Sequence, residues 1–168
     1  AKGIRVRLDD SDQSPGFKFN EWELKGVPVR IELGPRDLEN NQALMKARDE
    51  EDKRTINLAT IVTAIEEELT TMQTRLLEKA RQFREANAHT TIDTLPQLQQ
   101  HIETAKANSS IPGWVLAGWC GEDACEEKVK EETKYTSRNI PFNPPTTKTT
   151  CIGCGNKAKH TVWFAQAY

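Results

Sequence analysis

The sequence predicts an α/β fold in two units, and three features of its 168 residues carry that reading. Stretches at residues 3–8, 27–33, 42–48 and 53–58 read as strands set between turn-forming residues. Two stripes of apolar residues at three- and four-residue steps follow, from Thr60 to about Asn87 and from Leu95 to Ala105, and this spacing gathers them on one helix face. Beyond Pro112-Gly113 the composition turns to aromatics and cysteines, the mark of a smaller second unit. The division is expected at 1–90 and 91–168, within a transition that reaches residue 112.

In chain order, Gly3-Ile-Arg-Val-Arg-Leu8 alternates apolar and basic residues and predicts a strand. A polar turn ending in Pro15-Gly16 leads to a helical turn with Phe19, Trp22 and Leu24 along one side. Val27, Val29, Ile31 and Leu33 then alternate with Pro28, Arg30 and Glu32, which places Arg30 and Glu32 on the face opposite the core. Gly34-Pro35-Arg36-Asp37 turns the chain into a helix start, with Pro at a first helical position and an acid at the positive helix end. Residues 42–48 and 53–58 form a hairpin around the acidic turn Asp49-Glu50-Glu51-Asp52, a solvated turn in preference to a metal site. In the long helix Ile61, Ile65, Leu69, Met72, Leu76 and Phe83 make the stripe, widened by Leu77 and Ala80, and with no Gly or Pro inside it is stiff. Thr94 caps the next helix, whose stripe is Leu95, Leu98, Ile102 and Ala105 and whose first turn tolerates Pro96. A third helix is expected over about 122–132 with Cys125 in its first turn, and the apolar run 161–168 reads as a strand.

Hydrophobic residues at 36% and charged residues at 29% suit a soluble globular protein. No apolar run approaches the ~20 residues needed to span a bilayer and the N-terminus has no signal-peptide core, so the cytoplasm is the expected location with no membrane partner. Net charge is −2, and the first sixty residues hold eleven Lys/Arg against twelve Asp/Glu. Nucleic-acid binding on that balance requires a local patch and specific base contacts, because counterion release needs cations beside phosphates.

All four cysteines lie after residue 119, as Cys120-x4-Cys125 and Cys151-x2-Cys154-Gly155. Four sulfurs complete a tetrahedral zinc site and leave no position for water, so the site is expected to be structural, with His160 not needed as a ligand. A disulfide framework, a C-x2-C redox centre and an iron–sulfur cluster are the alternatives. A reducing compartment and the second cysteine pair favour zinc. His89, His101 and His160 are scattered along the chain with no nucleophile at a suggestive spacing, and packing or surface roles are their default.

The run Gly16-Phe17-Lys18-Phe19-Asn20-Glu21-Trp22-Glu23-Leu24-Lys25-Gly26-Val27-Pro28-Val29-Arg30 resembles the signature of the anticodon-binding domain of prolyl-tRNA synthetases, of the archaeal and eukaryotic-like type that also occurs in some bacteria. Trp119-Cys120-Gly121-Glu122, Ala124-Cys125-Glu126, Lys130-Glu131-Glu132-Thr133, Cys151-Ile152-Gly153-Cys154-Gly155 and the final Ala167-Tyr168 resemble the zinc-binding C-terminal domain of the same enzymes. Some members lack certain cysteines, whereas this sequence keeps all four.

The resemblance implies a mixed-sheet anticodon-binding domain lacking its first strand and helix, followed by a small α+β zinc-binding domain. It implies a parent class II proline–tRNA ligase, dimeric through a catalytic domain that uses ATP and Mg and is not in this chain, which is then a C-terminal portion inactive alone. The implied partners are the anticodon stem-loop of tRNA(Pro), whose anticodons share two guanines, and the parent's own catalytic domain, reached by Tyr168. An unstacked guanine is read by a carboxylate accepting from its N–H groups and by Arg or Lys donating to O6 and N7. Positions matching the family motif are Glu23, Arg30 and Arg36 for base contacts, then Lys18, Asp37 and Lys53, with Cys120, Cys125, Cys151 and Cys154 for the metal. The plainer alternative for Glu23 and Arg30 is a surface ion pair of little energy. The competing function is a zinc-stabilised protein-interaction module that docks partners through Trp114, Trp119 and Trp163.

Overall fold

The computed structural model describes residues 3–166. Contacts divide the chain into two compact units that meet between Ala80 and Arg81.

In the first unit, Ser14 caps helix α1 (Pro15–Leu24) by accepting the Phe17 N–H at 3.3 Å. Strand β1 (Val29–Glu32) leads to the short helix α2 (Pro35–Glu39), where Pro35 starts the helix and Asp37 accepts the Gly34 N–H at 2.9 Å. Strands β2 (Gln42–Ala47) and β3 (Lys53–Asn57) form the expected hairpin, and the sheet runs β1-β2-β3, antiparallel throughout. Val29 and Ile31 pair with Ala47 and Met45 on the core face, so Arg30, Glu32, Leu44, Lys46 and Lys53 share the other.

Helix α3 (Ile61–Ala86) follows and buries Glu68 and Met72. Glu68, 1% exposed, is bonded by Arg54 and, at 2.7 Å, by Arg75. Arg75 also grips Asp49 of the hairpin turn through two 2.9 Å bonds. Those bonds to Asp49 first, then to Glu68, raise the Arg75 pKa, and the bond from Arg75 draws the Asp49 carboxyl below its ordinary range. A buried carboxylate that loses a partner cation is costly. Arg75→Ala should therefore destabilise the first unit, by less than for a wholly unpaired ion because Arg54 remains. Urea unfolding followed through the amide signals of β2 and β3 measures it.

Two expectations are corrected here. Residues 3–8 form no strand, because alternation supplies two faces but a strand also needs an edge to pair with. Among the described residues none pairs with this stretch, and Val6 and Leu8 are 82% and 76% exposed. The apolar stripe of α3 also stops short of its end, since Leu77 and Phe83 are exposed.

In the second unit, strand β4 (Ala88–His89) pairs in parallel with β5 (Trp114–Trp119). Helix α4 (Leu95–Ala107) carries the capping box of Thr94 and Gln97 and buries all four expected residues, Leu95, Leu98, Ile102 and Ala105. Helix α5 (Asp123–Thr133), strand β6 (Tyr135–Asn139) and strand β7 (His160–Gln166) complete a mixed sheet of order β4-β5-β7-β6. Its core joins Leu98 and Ile102, Val115 and Ala117, Val129, Tyr135, Val162 and Phe164. Tyr135 is fully buried, with its hydroxyl 2.9 Å from the Gly113 carbonyl and burial pushing its pKa up to about 12. The histidines are less scattered than their numbers imply. His89 of β4 and His101 of α4 set their rings edge to face at 4.3 Å, and His101 Nε2 lies 2.7 Å from the Pro112 carbonyl.

Candidate nucleic-acid face and metal centre

The outward face of the first sheet gathers three of the six expected contact residues. The register aligns Arg30, Lys46 and Lys53 in one row across the three strands. Helix α1 lies beside them, and its period puts Phe19 and Glu23 on one side. Arg30 lies over the Phe19 ring, 3.8 Å from its centroid, and Lys53 Nζ is 5.2 Å from the same point. Arg30 Nη1 donates to Glu23 at 2.7 Å and its Nε donates to Glu32 at 3.0 Å, while Lys53 donates to Glu32 at 2.7 Å. Lys46 instead donates to the Glu50 and Glu51 carbonyls of the hairpin turn. Glu23, Glu32, Arg30 and Lys53 balance in charge, so these four residues add little net field to the face and offer directed donors and acceptors instead.

The other three candidates stand elsewhere. Asp37 caps α2 and accepts from Gln42 of the outward row at 3.4 Å. Arg36 is exposed on α2, and among the described residues its guanidinium has no partner. Lys18 points down the other side of α1 to Asp9, 3.3 Å from its carbonyl. That side is a separate clasp in which Trp22 Nε1 donates to Asp9 at 2.6 Å. The Ser11 hydroxyl first, then the Trp22 indole, hold the Asp9 carboxyl down at about 2. Sequence reasoning left Phe19, Glu32 and Lys46 without a site role. The signal was available for Lys46, which lies two residues from Leu44 and four from Gln42 and so shares their strand face.

In the second unit the sulfurs of Cys120, Cys125, Cys151 and Cys154 all lie within 4.8 Å of one another. None is in a disulfide. Cys120 directly follows β5, and Cys125 sits in the first turn of α5, as expected. The knuckle with Cys151 and Cys154 is tied back by the Ile152 N–H to the Gly118 carbonyl at 2.9 Å, and Lys128 donates to the Gly153 carbonyl at 3.2 Å. Position 153 must be glycine, because a Cβ there would stand 2.9 Å from the Cys125 carbonyl oxygen. Burial pushes the Cys151 thiol up, but the backbone N–H groups of Cys154, Cys120 and Gly153 outweigh it and bring its pKa to about 7. Burial, with the sulfurs of Cys120 and Cys154, pushes Cys125 up instead. A tetrahedral zinc about 2.3 Å from each sulfur sets them about 3.8 Å apart; Cys154 and Cys120 are separated by 4.0 Å. Four clustered thiols of this spacing can bind a metal ion.

Residues 1–68 match the family described as Anticodon binding domain, and residues 102–168 match Prolyl-tRNA synthetase, C-terminal. The chain is 52% identical over 168 residues to a proline–tRNA ligase of Symbiobacterium thermophilum, covering all of this chain and 34% of that protein. The chain belongs to the prolyl-tRNA synthetase family. A second proline–tRNA ligase, from Alkaliphilus oremlandii, is 47% identical over 166 residues, 98% of this chain and 33% of its own length. Among solved structures, a prolyl-tRNA synthetase from Cryptosporidium parvum complexed with L-proline and AMP superposes with a TM-score of 0.80 at 33% identity, over 99% of this chain and 34% of that one. The chain thus spans about a third of the length of the synthetases it matches. All six nucleic-acid candidates fall in the segment matched as anticodon-binding, and all four cysteines in the segment matched as C-terminal.

Proposed function

We propose that this chain is the anticodon-reading and structural C-terminal part of a prolyl-tRNA synthetase of the archaeal and eukaryotic-like type, and that its first unit grips the anticodon stem-loop of tRNA(Pro). The observation that carries the reading is the convergence of Glu23, Arg30 and Lys53 around Phe19, within the segment matched as anticodon-binding. An arginine over an aromatic ring, an ammonium and an accessible carboxylate are the groups that read an unstacked guanine. The Glu23–Arg30 ion pair weighed as the plainer alternative is formed, yet Glu23 is half-exposed and such a pair is worth about 0–1 kcal/mol. It yields to a base at little cost. Arg36, exposed on α2, is the second reader in this proposal, and Lys18 and Asp37 contribute from their clasped and capping positions.

The four cysteines hold a structural zinc in this reading, because four thiolates close a tetrahedron and leave no reactive position. Proline activation with ATP and Mg, homodimer formation and cytoplasmic location belong to the proposed parent enzyme. No helix among the described residues is long and apolar enough to cross a membrane. The contact of Tyr168 with the parent's catalytic domain lies outside the described residues and stays part of the proposal. The interaction-module reading is weaker, since Trp119 packs against the core and Trp163 is half-buried, which leaves Trp114 as the exposed member of the three.

Arg30→Ala tests the assignment. Affinity for the tRNA(Pro) anticodon stem-loop should fall by about 1–3 kcal/mol, with the amide spectrum of the sheet intact. Unchanged affinity in a folded variant removes Arg30 from the interface.

A further inference from the structure

Glu32 lies between the two cations of the outward face and holds one with each oxygen: Oε1 accepts from Arg30 Nε at 3.0 Å, Oε2 from Lys53 Nζ at 2.7 Å. Both cations lie over the same Phe19 ring. The two acids of the cluster differ in setting. The Glu23 side chain is 51% exposed and makes one bond to Arg30, whereas the Glu32 side chain is 20% exposed and makes two bonds to two different cations. Burial raises the Glu32 pKa, but bonds from Lys53 and Arg30 outweigh it and keep the carboxylate ionised.

We propose that Glu32 is the positioning residue of this face, holding Arg30 over Phe19 and Lys53 beside it so that Glu23 and the outer guanidinium edge are presented to an unpaired guanine. The inference rests on the anticodon reading and assigns Glu32 no contact with RNA. The ring below Arg30 sets where its guanidinium sits and the bond at Nε sets its direction, and Glu32 supplies the second constraint. Without it, Arg30 retains Glu23 as its acidic partner, and nothing prevents that pair from closing into a two-bond fork that occupies both reading groups. A site held by a loosened support loses affinity although its contact residues are all present.

The test uses the 168-residue chain and an anticodon stem-loop of tRNA(Pro), with affinity read by fluorescence anisotropy at fixed salt. Glu32→Ala should weaken binding about tenfold, and Glu32→Gln should weaken it by less because the amide oxygen still accepts one bond. In an Arg30→Ala background the Glu32→Ala loss should shrink severalfold, since a residue that acts through Arg30 has little to act on once it is gone. The same fold loss in both backgrounds assigns Glu32 a separate or purely structural role and overturns the inference. So does undiminished binding by both Glu32 variants when the unmodified chain discriminates the guanines. If Glu32→Ala loses the sheet's amide spectrum, the Glu32→Gln pair of measurements decides by the same criterion. An unmodified chain that binds the stem-loop no better than one with both anticodon guanines replaced overturns the anticodon reading, and this inference with it.

Discussion

Removing the proposed zinc from the four-cysteine centre, by chelation or by Cys151→Ser, should release the knuckle around residues 150–157 and lower the unfolding temperature of the second unit by more than about 10 °C. Apart from the cysteines, single hydrogen bonds and no regular element order the segment. Between β6 and β7 the chain runs from Ile140 to Lys159 without helix or strand, joined to the sheet by the isolated bridge Gly118 to Cys151 and closed on itself by Thr150 to Lys157. Binding energy for structural zinc, on the order of 10 kcal/mol, is folding energy where no site exists in the unfolded chain. Ile152, 3% exposed, belongs to the core and would be withdrawn with Cys151, so the loss extends past the loop. The helix and strand residues Leu98, Val115, Val162 and Phe164 should retain part of their packing. Elemental analysis should find about one zinc per chain, and amide exchange at 151–155 should accelerate on chelation. Unchanged protection in a metal-free chain would remove the structural zinc.

Gly118→Ala should be nearly as damaging without touching a ligand. A Cβ at position 118 would stand 2.2 Å from the Thr150 carbonyl oxygen and 2.9 Å from Ala158 Cβ, both fixed by the knuckle's own bonds. Neither is the end of a flexible side chain, so β5 and the knuckle must separate, at a cost of about 3 kcal/mol. The same separation strains the Ile152 bond to Gly118 and carries Cys151 away from Cys120 just after β5. The variant should therefore lose both stability and metal affinity. A metal competition titration beside thermal unfolding reads both, and wild-type metal affinity would show that the close approach does not set the cysteine geometry.

Where a pattern names a face, the sequence is informative. The alternation at 27–33 placed Arg30 and Glu32 opposite the core, the stripe in α4 named its four buried residues, and the cysteine spacings named the four thiols that the fold brings together. A pattern does not name a partner, and the misses follow from that. Residues 3–8 alternate without an edge to pair with, and β4 is two residues long, too short for any period, existing through its register with Trp114 and Val115. Glu68 sits in the buried part of α3 because Arg54 and Arg75 arrive from before and after it to neutralise its charge. In the proposed reading head, the alternation reveals that Glu32 faces outward, but its hold on Lys53 depends on the chain returning through the hairpin.

In the proposed function the first unit reads proline anticodons through their guanines. Binding of the 168-residue chain to the tRNA(Pro) anticodon stem-loop, against the same stem-loop with both anticodon guanines replaced by adenine, tests it most directly. Each mismatched base contact is expected to cost about 1–3 kcal/mol, so replacing both should weaken binding at least tenfold at constant salt. Equal affinity for the two stem-loops would contradict the account.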